Sequence, residues 1–163
     1  MQPLCPAEQL ALLDPRRVEP KEAVKVSLLS LVSQGVFRIE EVRKQGLFGK
    51  KPAPKIFIGG AAPKTHAPEA ALFRLVRDMN KRAGAPIDEV ASDARKAWDD
   101  KLGVYMTSYV YKGLVDRRLI EEQRRKFLWL IPYTVYEHTP AGLVEKQRIE
   151  QLIKRAKQRS EEH

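Results

Sequence analysis

The feature that most constrains the fold of this chain is a helix-to-strand junction that occurs twice. Residues 31–37 and 109–115 each contain an apolar helix end, a polar residue, a glycine and an apolar strand start. Glycine tolerates the left-handed backbone that ends many helices, so Gly35 and Gly113 predict two helices that each lead directly into a strand. Such a junction is typical of the recognition helix and wing of winged-helix domains.

The first half of the chain has the pattern expected around the first junction. A short helix is predicted from Pro6, and an amphipathic helix from Pro20 to Gly35. Apolar strands are predicted at residues 36–39 and 56–58. The segment between them is rich in glycine, proline and basic residues, which suits the loop of a long hairpin. This pattern predicts a first wing-like element.

Helices dominate the prediction for the second half. Residues 59–64 are small and aperiodic and predict a linker. Apolar residues then recur at helical spacing in three segments: 67–82, 87–98 and 101–112. Thr139 and Pro140 have the residue types of a helix N-cap and first turn. The face of this closing helix is traced by Ile149, Leu152, Ile153 and Ala156.

A second hairpin is predicted after Gly113. The apolar residues 114–115 and 127–131 are the two strand candidates, and they flank the highly charged segment 116–126. Together these elements predict an α+β fold that is mainly α, with two winged-helix-like units in tandem. The first unit is expected over residues 1–62 and the second over 66–163, including the C-terminal amphipathic helix.

The second unit resembles winged-helix regulators of the multiple-antibiotic-resistance type. The resemblance lies in the sequence Gly-Leu-Val-Asp-Arg-Arg at residues 113–118 and in the later Tyr-Glu-His-Thr-Pro-Ala-Gly-Leu at 136–143. It covers residues 85–158. The resemblance implies a winged-helix domain that binds DNA.

The first unit resembles something different, the cytoplasmic tail of a family of predicted bacterial membrane proteins of unknown function. The similar residues are 6–8, the helix end and strand at 28–41, and the segment 68–73. The resemblance covers about half of the chain. It implies a place at the cytoplasmic face of a membrane if the chain is an excised tail, and it implies no activity.

Composition favours an acidic partner and a reducing compartment. Thirty Lys and Arg against 21 Asp and Glu give a net charge of +9, and both halves share the excess. Cys5 is the only cysteine, so we expect no internal disulfide, no cysteine-based zinc site and a cytoplasmic location. The longest apolar run, residues 127–136, is interrupted by Pro132 and Thr134. A membrane-spanning helix needs roughly 20 apolar residues, so none is expected.

No residue pattern in the sequence indicates catalysis. The three histidines, His66, His138 and His163, are too far apart to form a local metal motif. The glycine pair after the second strand lacks the residues of a phosphate-binding loop. We therefore expect a protein without enzymatic activity, cofactor or metal.

Basic residues near the two predicted wings are the best functional signal, because positive charge there could contact a nucleic-acid backbone. The candidate nucleic-acid-binding residues are Lys50, Lys51, Lys112, Arg117, Arg118, Arg124, Arg125 and Lys126. The competing interpretation is a solvated hairpin that Glu121 and Glu122 partly neutralise. Trp98 and Trp129 are predicted to anchor the core, and Tyr105 and Tyr109 to pack together.

Two functions therefore stand open. The first is binding of DNA through the basic wings. The second is a protein-interaction or membrane-proximal adaptor role, with the winged helices as rigid docking surfaces. The basic closing helix adds the possibility of a homodimer, or of contact with a membrane surface or an acidic partner.

Overall fold

The computed structural model describes residues 2–42, 53–63, 66–79 and 81–162. It confirms an α+β fold that is mainly helical, with two small antiparallel sheets. In chain order the elements are α1 (Pro6–Leu13), α2 (Pro20–Ser33), β1 (Phe37–Val42), β2 (Ala53–Ile58), α3 (Ala67–Asp78), β3 (Ala85–Pro86), α4 (Ile87–Trp98), α5 (Gly103–Tyr105), a π-helical segment (Met106–Tyr111), α6 (Lys112–Asp116), β4 (Ile120–Phe127), β5 (Ile131–His138) and α7 (Pro140–Glu161).

The first predicted junction is confirmed. Helix α2 ends at Ser33, and Gly35 takes the left-handed backbone, with φ of 74°, before β1 begins. Strands β1 and β2 pair in antiparallel register, with Phe37 opposite Ile58. The sheet also has a third strand that the sequence did not predict, because β3 is only two residues long and pairs with β2 through Ala85 opposite Ile56.

The second junction was predicted wrongly. Gly113 lies inside α6, which continues to Asp116, so Leu114 and Val115 are helical rather than a strand. A Cβ on Gly113 would come within 2.5 Å of the Glu8 carboxylate. The glycine is therefore explained by close packing of α6 against α1 and not by helix termination. Leu114 is fully buried on the inner face of that helix.

The second hairpin exists, but its strands lie several residues later than predicted. The charged segment forms β4 itself, and most of the predicted apolar strand at residues 127–131 is the turn between β4 and β5. Ile120 pairs with His138 at the base, and Phe127 pairs with Ile131 next to the turn. The prediction assigned the strands to the apolar residues. A two-stranded ribbon that projects into solvent needs no apolar face along its outer half, so charged residues can form its strands.

One hydrophobic core connects elements from both predicted units. Helix α1 packs against α2, α6 and α7. Trp98 is buried, as predicted, and its ring lies 4.8 Å from that of Tyr105. The predicted packing of Tyr105 on Tyr109 is also confirmed, at 5.9 Å between ring centroids. The largest fully buried side chains come from both halves of the chain and include Leu12, Leu31, Phe37, Ile56, Leu72, Tyr105, Leu114 and Ile120.

The closing helix begins as predicted but packs less than predicted. The Thr139 side chain accepts a hydrogen bond from the Gly142 amide at 3.0 Å, which is an N-cap. Ile149 is buried, whereas Leu152 and Ile153 remain 49% and 40% exposed. Among the described residues, no helix is long and apolar enough to cross a bilayer.

Candidate functional site

The β4–β5 hairpin is the most prominent surface feature of the described chain. Each strand has eight residues, which corresponds to a ribbon of about 26 Å. Residues that pair directly across an antiparallel ribbon point to the same face. One face therefore carries Ile120, Glu122, Arg124 and Lys126 with their partners. The opposite face carries Glu121, Gln123, Arg125 and Phe127 with theirs.

The base of the hairpin is fixed to the helical body. Tyr136 stacks on Tyr111 with ring centroids 4.1 Å apart, and the Tyr111 hydroxyl donates to the Pro15 carbonyl at 2.8 Å. The His138 ring nitrogen Nε2 lies 2.5 Å from the Leu12 carbonyl oxygen. Burial raises the pKa of Tyr111 to about 12. These contacts hold the base in one orientation, so the rest of the ribbon points in a defined direction.

The outer half of the hairpin makes no such contacts with the described part of the helical body. Residues 124–134 are all exposed. Trp129, predicted to anchor the core, is 91% exposed, so that prediction was wrong. The apolar side chains exposed around it are Phe127, Leu128, Leu130, Ile131 and Tyr133. We call residues 127–131 the apolar tip.

The turn at the apolar tip has an unusual backbone for its residues. Leu128 and Trp129 both have positive φ, 48° and 67°, and the Leu130 amide donates to the Phe127 carbonyl at 3.1 Å. Positive φ at both central residues is the geometry of hairpin turns that favour Asn-Gly. A side chain larger than glycine costs about 1–2 kcal/mol at such a position. The two bulky residues are therefore not there to stabilise the turn.

Three of the candidate basic residues are engaged within the chain. Lys112 pairs with Asp116 at 2.7 Å, and Arg125 pairs with Glu137 at 2.5 Å. The Arg117 guanidinium donates to the Gln2 carbonyl at 3.0 Å. Lys50 and Lys51 lie outside the described residues.

The other three candidates, Arg118, Arg124 and Lys126, form no ion pair with any described residue. Arg124 and Lys126 lie on the same face of β4, three residues and one residue, respectively, from the apolar tip. We call these two residues the cationic collar. The carboxylates of the hairpin, Glu121, Glu122 and Glu137, lie nearer its base.

The helix predicted over residues 101–112, just before the second hairpin, is the one that would enter a DNA groove. Much of this segment is buried in the core. Tyr105, Met106 and Val110 are buried, and the Tyr105 hydroxyl lies 2.7 Å from the Ser27 hydroxyl and donates to the Pro68 carbonyl at 3.2 Å. Burial raises the pKa of Tyr105 well above its usual range. The residues that this helix exposes include the neutral Thr107 and Ser108.

A second cluster lies inside the protein, and its residues form no local motif in the sequence. Cys5 Sγ, a Glu8 carboxylate oxygen and a His66 ring nitrogen all lie within 4.8 Å of one another. Cys5 is the N-cap of α1, Glu8 lies in its first turn, and His66 is the N-cap of α3. Burial and the Glu8 carboxylate raise the pKa of the Cys5 thiol. Only the tertiary fold brings His66 to the other two residues.

No protein-family model matches the chain, and no curated protein matches it. The winged-helix relationship and the membrane-protein resemblance therefore stay predictions. The hairpin and the buried cluster are interpreted from their own geometry.

Proposed function

We propose that the protein is a non-enzymatic binding module that docks on an anionic lipid surface through the β4–β5 hairpin. This proposal rests on the order of residue types along the ribbon, from its tip to its base. Apolar residues occupy the tip, cations lie just behind it, and carboxylates lie nearer the base. A bilayer surface presents the complementary order, with acyl chains innermost, then anionic phosphates, then water.

The apolar tip supplies the hydrophobic part of the interaction. Five consecutive apolar residues exposed at a turn form a patch that folding has not buried. Tryptophan is favoured at membrane interfaces because its ring is apolar while its indole N–H can donate to water or lipid. The strained turn adds support, since a backbone cost at an exposed position indicates residues kept for binding.

The cationic collar supplies the electrostatic part. Lys126 lies one residue and Arg124 three residues from Phe127, which places their charges roughly 3–10 Å behind the apolar tip. Each cation near an anionic leaflet contributes about 1 kcal/mol. The net charge of +9 draws the whole molecule to the same surface.

A vesicle experiment tests this proposal. The chain is co-sedimented with vesicles of phosphatidylcholine mixed with phosphatidylserine, and with phosphatidylcholine alone. We expect binding to the anionic vesicles and a blue shift of tryptophan emission. Trp98 is already buried, so the shift would report on Trp129. The exchange Trp129→Ser with Leu130→Ser should weaken binding by at least about a hundredfold, because burying such side chains is worth about 1.5–3 kcal/mol each.

Matched controls separate the tip from general surface properties. Leu143→Ser with Val144→Ser removes two exposed apolar residues from α7 and should leave binding unchanged. Arg124→Ala with Lys126→Ala should cost about 2 kcal/mol, while Arg74→Ala with Arg95→Ala changes net charge equally and should cost less. Unchanged binding in the tip variant, or a lipid-free dimer that buries Trp129, contradicts the proposal.

Nucleic acid is the second candidate partner. The observation in its favour is that Arg118, Arg124 and Lys126 form no ion pair with any described residue and could contact phosphates. Apolar side chains can also wedge between base steps in the minor groove. Fluorescence anisotropy with random duplex DNA at low and moderate salt tests it. Salt-dependent DNA binding without vesicle binding would replace the lipid proposal with this one.

A further inference from the structure

We propose that Cys5, Glu8 and His66 form a binding site for one divalent transition metal ion, of which zinc best suits the ligand set. Their ligand atoms lie within 4.8 Å of one another. Cys5 and Glu8 are 2% and 3% exposed. These residues lie outside the hairpin, so the test of this site does not depend on the outcome of the lipid-docking test.

The three donors have the chemistry that zinc selects. Thiolate, imidazole and carboxylate are its usual protein ligands, at about 2.0–2.3 Å, which puts neighbouring ligand atoms about 3.5 Å apart in a tetrahedron. His66 Nδ1 lies 4.0 Å from Glu8 Oε2, so a small inward movement of side chains completes the geometry. A water molecule would occupy the fourth position.

An unsatisfied ring nitrogen and a buried carboxylate that lacks a cation support the assignment. His66 Nδ1 is buried and has no hydrogen-bond partner among the residues that the structure describes. Glu8 Oε2 accepts a hydrogen bond from the Cys5 amide at 2.9 Å, but among the described residues the buried carboxylate is within ion-pair distance only of His66 and of no Lys or Arg. A buried carboxylate without a cation is costly, and a buried polar atom without a partner is rare. A metal ion would give the His66 ring nitrogen a partner and the Glu8 carboxylate a countercharge at once.

The charges in the occupied site balance. On binding, the Cys5 thiol gives its proton to solvent, and the thiolate and the Glu8 carboxylate neutralise the two charges of the ion. Both anionic ligands lie at the N-terminal end of α1, Cys5 as its N-cap and Glu8 in its first turn, where the helix dipole favours negative charge. Gly113 leaves room for the carboxylate, since a Cβ there would lie 2.5 Å from Glu8 Oε1.

The site would join two distant parts of the chain. Cys5 and Glu8 lie on α1, whereas His66 precedes α3. A bound ion would therefore act as a cross-link between them, and a ligand that binds only the folded state stabilises it. We expect zinc to raise the melting temperature of the wild-type chain.

Cobalt gives a direct test, because a cobalt–thiolate bond has a characteristic near-ultraviolet band and Cys5 is the only cysteine. The untagged full chain is stripped with a chelator and titrated with Co²⁺ under anaerobic conditions. We expect the band to saturate at one ion per chain, to be displaced by Zn²⁺ and to be absent from Cys5→Ser. Absence of the band in folded wild-type protein overturns the proposal.

Two further variants show whether the other ligands take part. His66→Gln and Glu8→Gln should each weaken Co²⁺ binding at least tenfold, while the control His138→Gln, at the hairpin base, should bind as the wild type does. Equal affinity in all of these variants overturns the three-ligand site. Circular dichroism checks that each variant folds. If a variant does not fold, the reaction rate of the wild-type thiol with a thiol reagent is measured instead, with and without Zn²⁺. A slower reaction in the presence of Zn²⁺ supports the site, and an unchanged rate contradicts it.

Discussion

The two tryptophans of the chain have opposite environments. Trp98 ends α4, is 5% exposed and packs on two tyrosine rings. Trp129 lies in a hairpin turn and is 91% exposed. Residue type alone does not distinguish them. The difference shows that the helical body uses its aromatic residues for stability, whereas the outer hairpin presents them to solvent, where only a partner can cover them.

The largest expected effect is a difference in stability between variants of the two tryptophans. Trp98→Ala should lower the free energy of unfolding by about 3–5 kcal/mol, because it removes a large buried side chain and leaves a cavity. Trp129→Ala should change it by less than about 0.5 kcal/mol, as exposed substitutions usually do. Urea denaturation measures both. Similar losses in the two variants would show that the tip contributes to the core and would break the comparison.

A smaller effect of opposite sign is expected in the turn itself. Leu128→Asn with Trp129→Gly gives the turn the residues that its backbone prefers, so the free energy of unfolding should rise by about 1 kcal/mol. Vesicle binding should fall in the same variant. Leu128→Ala with Trp129→Ala is the control, since it removes the apolar side chains without relieving the backbone. A stabilised variant that still binds vesicles would argue against the tip as the docking element.

The smallest expected effect concerns the half-buried tyrosine pair at the hairpin base. Burial raises the pKa of Tyr111 from 10.0 to about 12, so the folded state holds its phenol proton more tightly than the unfolded state does. This contribution to stability is complete below pH 10 and is lost as the pH rises towards 12. Tyr111→Phe should make stability less pH-dependent in that window. Urea denaturation at a series of pH values measures this, and Trp129→Ala should keep the wild-type dependence.

Local sequence signals predicted the elements whose ends depend on local chemistry. Pro6, Pro20 and Pro140 mark the starts of three helices, and Gly35 follows the end of α2. The Thr139 cap was predicted from residue type and is present. Prolines and caps act within one turn of backbone, which is why they can be recognised without knowing the fold.

The wrong predictions concern residues whose environment is set by neighbours far away in the chain. Gly113 was interpreted as a helix stop, but its lack of a side chain makes room for Glu8. Trp129 was assigned to the core, although no element that the structure describes covers it. The sequence indicated no local motif at His66, and only the tertiary fold brings its side chain to Cys5 and Glu8.

The sequence by itself determined the α+β class, the first helix-to-strand junction and the capped closing helix, because propensity, capping and turn chemistry are properties of short segments. The tertiary structure alone decided which apolar residues are buried, which cations remain unpaired and which polar side chains meet in the interior. Those outcomes depend on contacts between residues far apart in the chain, and such contacts leave no local pattern.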